Sequence, residues 1–169
     1  IYFRNNRCVY LSDLEPLAVK EYATKAELDP ANKDDLDMPF LWHYQPDFRT
    51  NTGLPIILRG RRYVKGLAVH SNCELTYKLD GSFRKFQAVL GVEDEIPKGA
   101  SDAFEGTVRF SVWKDGKKVY TSEILKKNSE LATIDLDIKD AKELKLMVDD
   151  AGDNYIMDRA FWASARLVK

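Results

Sequence analysis

The chain has 169 residues with 26 basic and 27 acidic side chains, a length that suits one domain spanning 1–169 and allows a core without disulfide or metal staples. A 44% hydrophobic share beside 31% charge excludes disorder, and a net charge of −1 excludes any general attraction to nucleic acid or anionic membrane. Two His against eight Tyr, eight Phe and three Trp describe an aromatic-rich globular domain with little catalytic equipment.

The chain opens Ile1-Tyr2-Phe3-Arg4 with no initiator Met and no leader, which reads as processing or as a piece of something longer. No stretch approaches the roughly 20 apolar residues that span a bilayer, so membrane insertion is not expected. Ser12-Asp13-Leu14-Glu15 has the form of a capping box, and residues 17–28 tolerate a helix. A strand over 7–11 leading into extended chain is the rival reading. Residues 29–52, rich in Pro, Asp and Asn, read as a long loop of the kind that is functional or disordered. Arg59-Gly60-Arg61-Arg62 reads as a solvated edge.

From there the dominant period is two, the strand signal. Cys73, Leu75, Tyr77 and Leu79 alternate with polar residues up to Asp80-Gly81, and Phe86, Ala88 and Leu90 do so up to Gly91. Val108, Phe110 and Val112 lead through Lys114-Asp115-Gly116-Lys117 into Val119-Tyr120, a hairpin whose Asp-Gly supplies positive φ. Ile134, Leu136 and Ile138 form a further run, and Leu144, Leu146 and Val148 another. The last run puts Phe161, Ala163, Ala165 and Leu167 on one face. Short half-buried strands separated by such turns predict an all-β fold of two antiparallel sheets packed face to face. Cys8 and Cys73 are either one disulfide or two buried thiols.

Little chemistry for catalysis is present. Only His43 and His70 are available as bases, without a Gly-x-Ser-x-Gly elbow, and no zinc spacing or phosphate-cradling glycine loop occurs. Glu93-Asp94-Glu95 and the loop from Asp149 to Asp158 are oxygen-rich enough to be calcium candidates, although the second misses the EF-hand template. Solvated loop acids are the plainer reading, and a glycosidase carboxylate pair among Glu93, Asp94 and Glu95 is the catalytic one. Aromatic rings beside polar loops point instead to a sugar site, in which a flat ring underlies a pyranose and fixed polar groups surround it. Trp42 with His43 and Tyr44, and Trp162 with Asp158 and Arg159, are sets of this type; core packing is the competing role for any one Trp.

Tyr10-Leu11-Ser12-Asp13-Leu14-Glu15-Pro16, Tyr63-Val64-Lys65-Gly66-Leu67-Ala68-Val69-His70-Ser71-Asn72 and the stretch 104–120 resemble the NPCBM domain, a carbohydrate-binding module related to family 51. The strand 83–91 with Val92-Glu93-Asp94-Glu95, and the closing stretch 149–167, are similar to the family in the same order. The resemblance implies a jelly-roll β-sandwich that binds glycans without cleaving them. It further implies an exported (extracellular or periplasmic) bacterial protein, a covalently linked catalytic domain such as a glycoside hydrolase, and a structural calcium with Asp13 as a ligand. Trp42 or Trp162 is expected as the stacking platform, with His70, Asp158 and Arg159 as polar contacts. The family's closing Asp-His-Ala-Asp-Trp is here Asp158-Arg159-Ala160-Phe161-Trp162. A permanent cation thus replaces a switchable imidazole, and a ring replaces a carboxylate. These exchanges motivate two further expectations: acidic sugars as ligands, or a structural or protein-interaction domain that has lost the sugar site and exposes Phe161.

Overall fold

A computed structural model describes residues 7–21, 43–50, 52–94 and 106–169. The described strands are β1 (Cys8–Tyr10), β2 (Ala18–Glu21), β3 (Gln45–Pro46), β4 (Ile56–Leu58), β5 (Arg61–Tyr63), β6 (Gly66–His70) and β7 (Cys73–Lys78). They continue as β8 (Lys85–Val92), β9 (Thr107–Lys114), β10 (Lys117–Thr121), β11 (Leu125–Lys126), β12 (Ala132–Asp137), β13 (Glu143–Asp149) and β14 (Arg159–Val168). One sheet runs β12-β8-β14-β6-β3, with β1 pairing the far end of β14; the other runs β10-β9-β13-β7-β2, with β11 on β9. Every strand pair in the two sheets is antiparallel, giving the expected β-sandwich.

The alternating residues place the core. Leu75 and Tyr77 of β7, Val108, Phe110 and Val112 of β9, and Leu144, Leu146 and Val148 of β13 meet Phe86, Ala88 and Leu90 of β8 across the inter-sheet space. The hairpin β9–β10 turns on Asp115 (φ 49°) and Gly116 (φ 78°), with Lys114 opposite Lys117, as an Asp-Gly loop requires. By contrast, β6 is buried at all five positions, because both of its faces are covered. Leu67 and Val69 enter the inter-sheet core, while Ala68 lies in a second cluster under the β4–β5 hairpin with Ile56, Leu58, Tyr63, Phe161 and Ala163.

Two expectations change. Ser12 does not cap a helix; Leu11–Asp13 make a single 3-10 turn, closed by Leu14 N–H donating to Leu11 O at 3.1 Å. The next residues extend and pair with β7, from Ala18 opposite Thr76 to Glu21 opposite Cys73, so backbone pairing wins over helix propensity there. Residues 22–28 of that expected helix lie outside the described residues. The rival strand reading is realised in β1.

The second change is in β14. Its register shifts between Ala163 and Arg166 around Ser164, which adopts φ 51°. This bulge swaps the faces: Phe161 and Ala163 point outward beneath the hairpin, whereas Ala165 and Leu167 point into the inter-sheet core. The four residues expected on one face are therefore split between two. Cys8 and Cys73 are both free thiols, one on each sheet.

Candidate functional site

At one end of the sandwich β6 finishes at His70, β14 begins at Arg159 and β8 gives way to Glu93. These strands are neighbours, so the three residues line up: Arg159 is the direct partner of His70, and Glu93 N–H donates to Arg159 O at 2.8 Å. Their inward-facing neighbours are Val69, Ala160 and Val92, which puts all three side chains on the outer face beside the β4–β5 hairpin.

Glu93 holds two guanidinium groups. Its Oε2 accepts from Arg159 at 3.0 Å and its Oε1 from Arg49 at 3.1 Å, and Arg49 Nε also donates to Pro55 O at 2.7 Å. The Arg49 and Glu93 side chains are 5% and 8% exposed, and Arg159 remains 17% exposed. Both guanidinium groups thus share one carboxylate, and Arg159 is the more exposed of the two. A second anchor fixes the hairpin: Asp94 Oδ2 accepts from the Arg59 backbone N–H at 2.7 Å and from its guanidinium at 2.9 Å.

His70 lies 2.8 Å from Ser71 O through Nδ1. A carbonyl only accepts, so Nδ1 carries the proton in the neutral ring. Burial, together with the Arg159 cation, lowers its pKa to about 4, so the imidazole is neutral at physiological pH. Beneath it, Asp158 is fully buried. Its Oδ2 accepts from Ser71 Oγ at 2.5 Å and its Oδ1 from Thr107 N–H at 2.8 Å, while burial pushes its pKa up to about 7. Asn72 and Asp150 exchange two hydrogen bonds at 3.3 and 3.1 Å, and Thr107 Oγ1 donates to Asp153 at 2.5 Å. Gly106 allows this closeness, because a Cβ there would meet Met157 O at 2.1 Å. The loop between β13 and β14 is thereby stapled to the β6–β7 turn and to the start of β9.

Of the expected contacts, His70, Asp158 and Arg159 come together and Trp162 does not join them. Trp162 is 1% exposed and packs edge-on against Phe110 at 4.9 Å, with Phe86 at 6.2 Å. It presents no face to a ligand, because it stands opposite Leu67 and Leu90, which both face the inter-sheet core. Asp158, expected as a contact, lies fully buried and ties Ser71 to Thr107. Trp42 lies outside the described residues. Phe161 is 1% exposed beneath the hairpin, which removes the exposed ring expected of an interaction domain.

Asp13 sits at the opposite end of β6, where Lys65 Nζ bridges its carboxylate and that of Asp47, the latter at 2.8 Å. An ammonium already neutralises this pair, an arrangement that does not fit a calcium ion. Among the described residues no group of three or more His, Cys, Asp or Glu is placed to hold a metal. Glu93 and Asp94, the carboxylates weighed for catalysis, are committed to arginines, and Glu95 lies outside the described residues. Arg49, Ser71 and Thr107 carry the site without having been singled out as contacts.

The family model described as the NPCBM/NEW2 domain matches residues 7–168. The chain belongs to this family. The NPCBM/NEW2 chain is a carbohydrate-binding module by that membership. Its β-sandwich superposes on the CBM51 of a Clostridium perfringens GH95 protein, solved with methyl-galactose, with TM-score 0.73 and 24% identity, covering 95% of this chain and 99% of that one. It also matches the Clostridium perfringens ZmpB structure that holds an M60 catalytic domain with two CBM51 domains, at 28% identity and TM-score 0.73, covering 96% of this chain and 15% of that one. A protein of Renibacterium salmoninarum named as an endo-alpha-N-acetylgalactosaminidase is 31% identical over 116 residues, which is 69% of this chain and 7% of that protein. The NPCBM/NEW2 chain thus spans a small fraction of that curated relative.

Proposed function

We propose that this is a noncatalytic glycan-binding module whose sugar site is the end of the sandwich around His70 and Arg159. The observation that carries the reading is the direct pairing of these two residues on adjacent strands. There an imidazole stands beside a partly exposed guanidinium, so one sugar meets a polar ring and a charged donor together. Arg159 stays partly exposed beside His70, and its guanidinium favours glycans carrying a uronate. Trp42 is the proposed stacking ring. Its neighbour His43 is held 2.7 Å from Glu21, and Glu21 pairs with Cys73, next to Asn72 of the site.

The noncatalytic part of the reading rests on the carboxylates. Asp158, whose raised pKa would suit a general acid, is fully buried with both oxygens hydrogen-bonded, and Glu93 is occupied by two arginines. The reading leaves calcium out at Asp13, where Lys65 already supplies the cation. The ZmpB match, in which related modules accompany a catalytic domain, supports attachment of this module to a catalytic domain in an exported bacterial protein. Isothermal titration against galactose-, fucose- and uronate-containing glycans tests the reading. Binding that is lost in Arg159→Ala and Trp42→Ala, without glycoside turnover, is the expected result; no binding to any of the three classes overturns it.

A further inference from the structure

The β4–β5 hairpin covers only part of the outer face of its sheet. Where it stops, a cleft of about 270 Å³ opens between the hairpin and the uncovered ends of β12, β8 and β14. Arg61 and Tyr63 form the hairpin wall; Gln87, Val89, Thr133, Asp135 and Arg166 line the strand side, and Ser164 closes it. The volume falls just below that of pockets enclosing drug-sized ligands and suits a single ring. The bulge shapes this cleft: the small Ser164 occupies the irregular position, and its N–H is held by Lys65 O at 2.8 Å.

Its charges are unbalanced. Arg61 lies over the Tyr63 ring at 5.1 Å, and Arg166 is fixed by Nε donating to Gln87 Oε1 at 2.9 Å. Among the described residues neither arginine is in an ion pair. The one carboxylate of the lining, Asp135, is engaged by Lys85 at 3.1 Å and is also stabilised by the nearby charge of Arg166, which leaves two arginines and Lys85 against one acid. Two held guanidinium groups lining one space supply the charge and the donors that a carboxylate takes. Gln87, Thr133 and Asp135 supply acceptors and donors for hydroxyls, Val89 gives an apolar floor, and Asp135 disfavours a densely charged ligand. We infer that this cleft is a second glycan site, distinct from the end of the sandwich, and that it takes a sugar bearing one carboxylate.

The inference stands apart from the His70–Arg159 site and is tested separately from it. The 15N-labelled chain is titrated with methyl β-glucuronide, with the methyl glycoside of N-acetylneuraminic acid, and with methyl β-glucoside as neutral control. Expected are amide shifts at Gln87, Val89, Thr133 and Ser164 with at least one acidic sugar, the responding probe telling a uronate from a sialic acid. Arg61→Ala, at an exposed hairpin position, should weaken that binding about tenfold, the loss of one charge-assisted contact. Arg166→Gln should do the same, while Arg159→Ala leaves these shifts in place. Shifts confined to His70 and its neighbours, equal shifts with the neutral glucoside, or none with any sugar overturn the second site. The first of these results supports the His70–Arg159 site while removing the second, and only the last counts against both.

Discussion

Trp162 and Leu167 lie an odd number of positions apart on one strand, yet both side chains enter the core between the sheets. A regular strand forbids this, because successive side chains alternate faces. The extra residue at Ser164 restores the phase, and with it Trp162 becomes the ring that Phe110 meets edge-on.

Trp162→Ala should therefore act as a core truncation, costing about 3–5 kcal/mol in urea unfolding with no change in sugar affinity at temperatures where the variant stays folded. Phe161→Asp should be at least as damaging, because it buries a carboxylate under Ile56 and Leu58. Loss of affinity in Trp162→Ala at undiminished stability would return that ring to the binding site.

The same bulge marks the limit of what the sequence reveals. Alternation located β7, β8, β9, β12 and β13 because each has one polar face, but it could not place β6, whose five residues are all buried. In β14 the alternation was real on each side of Ser164 and wrong across it, since a one-residue slip exchanges core and outer face. His70, Asp158 and Arg159 were legible through family-like motifs. Arg49 was not, because a lone arginine in a Pro- and Asp-rich stretch carries no pattern; only the folded chain brings it to Glu93.

Glu93→Gln should destabilise the fold by about 2–4 kcal/mol, since it removes the buried carboxylate that Arg49 and Arg159 share. Adding Arg159→Met should recover part of that loss, giving a coupling energy of roughly 1–3 kcal/mol in a double-mutant cycle. Additive losses would mean that the guanidinium and the carboxylate do not depend on one another.

His70 and Asp158 should pull stability in opposite directions with pH. Asp158 has a folded pKa of about 7 against 3.8 when exposed, so between these values the folded chain keeps a proton that the unfolded chain has lost. Its contribution therefore falls as pH rises through that window. His70 has a folded pKa of about 4 against 6.5, so between these values the unfolded chain holds the extra proton and the contribution rises with pH. Each slope is about 1.4 kcal/mol per pH unit, and they offset where the windows overlap. Relative to the double variant His70→Gln/Asp158→Asn, urea midpoints of His70→Gln should fall from pH 4 to 6.5, and those of Asp158→Asn should rise. Parallel profiles in the two single variants would contradict the assignment.

Lys65 offers a test of whether Asp13 takes part in a metal site. Its ammonium bridges Asp13 and Asp47, while Asp47 Oδ1 also accepts from Gly66 N–H at 3.1 Å. In Lys65→Met the two carboxylates lose their shared cation, and stability should drop by about 1 kcal/mol, as for a partly exposed ion pair. Two neighbouring carboxylates then form the start of an oxygen-rich cation site. Millimolar calcium should raise the Tm of Lys65→Met and leave that of the wild type unchanged, with chelator reversing the gain. A wild-type Tm that drops on chelation, with no calcium response in the variant, would place a metal elsewhere in the domain and make Lys65 an ordinary surface partner of Asp13.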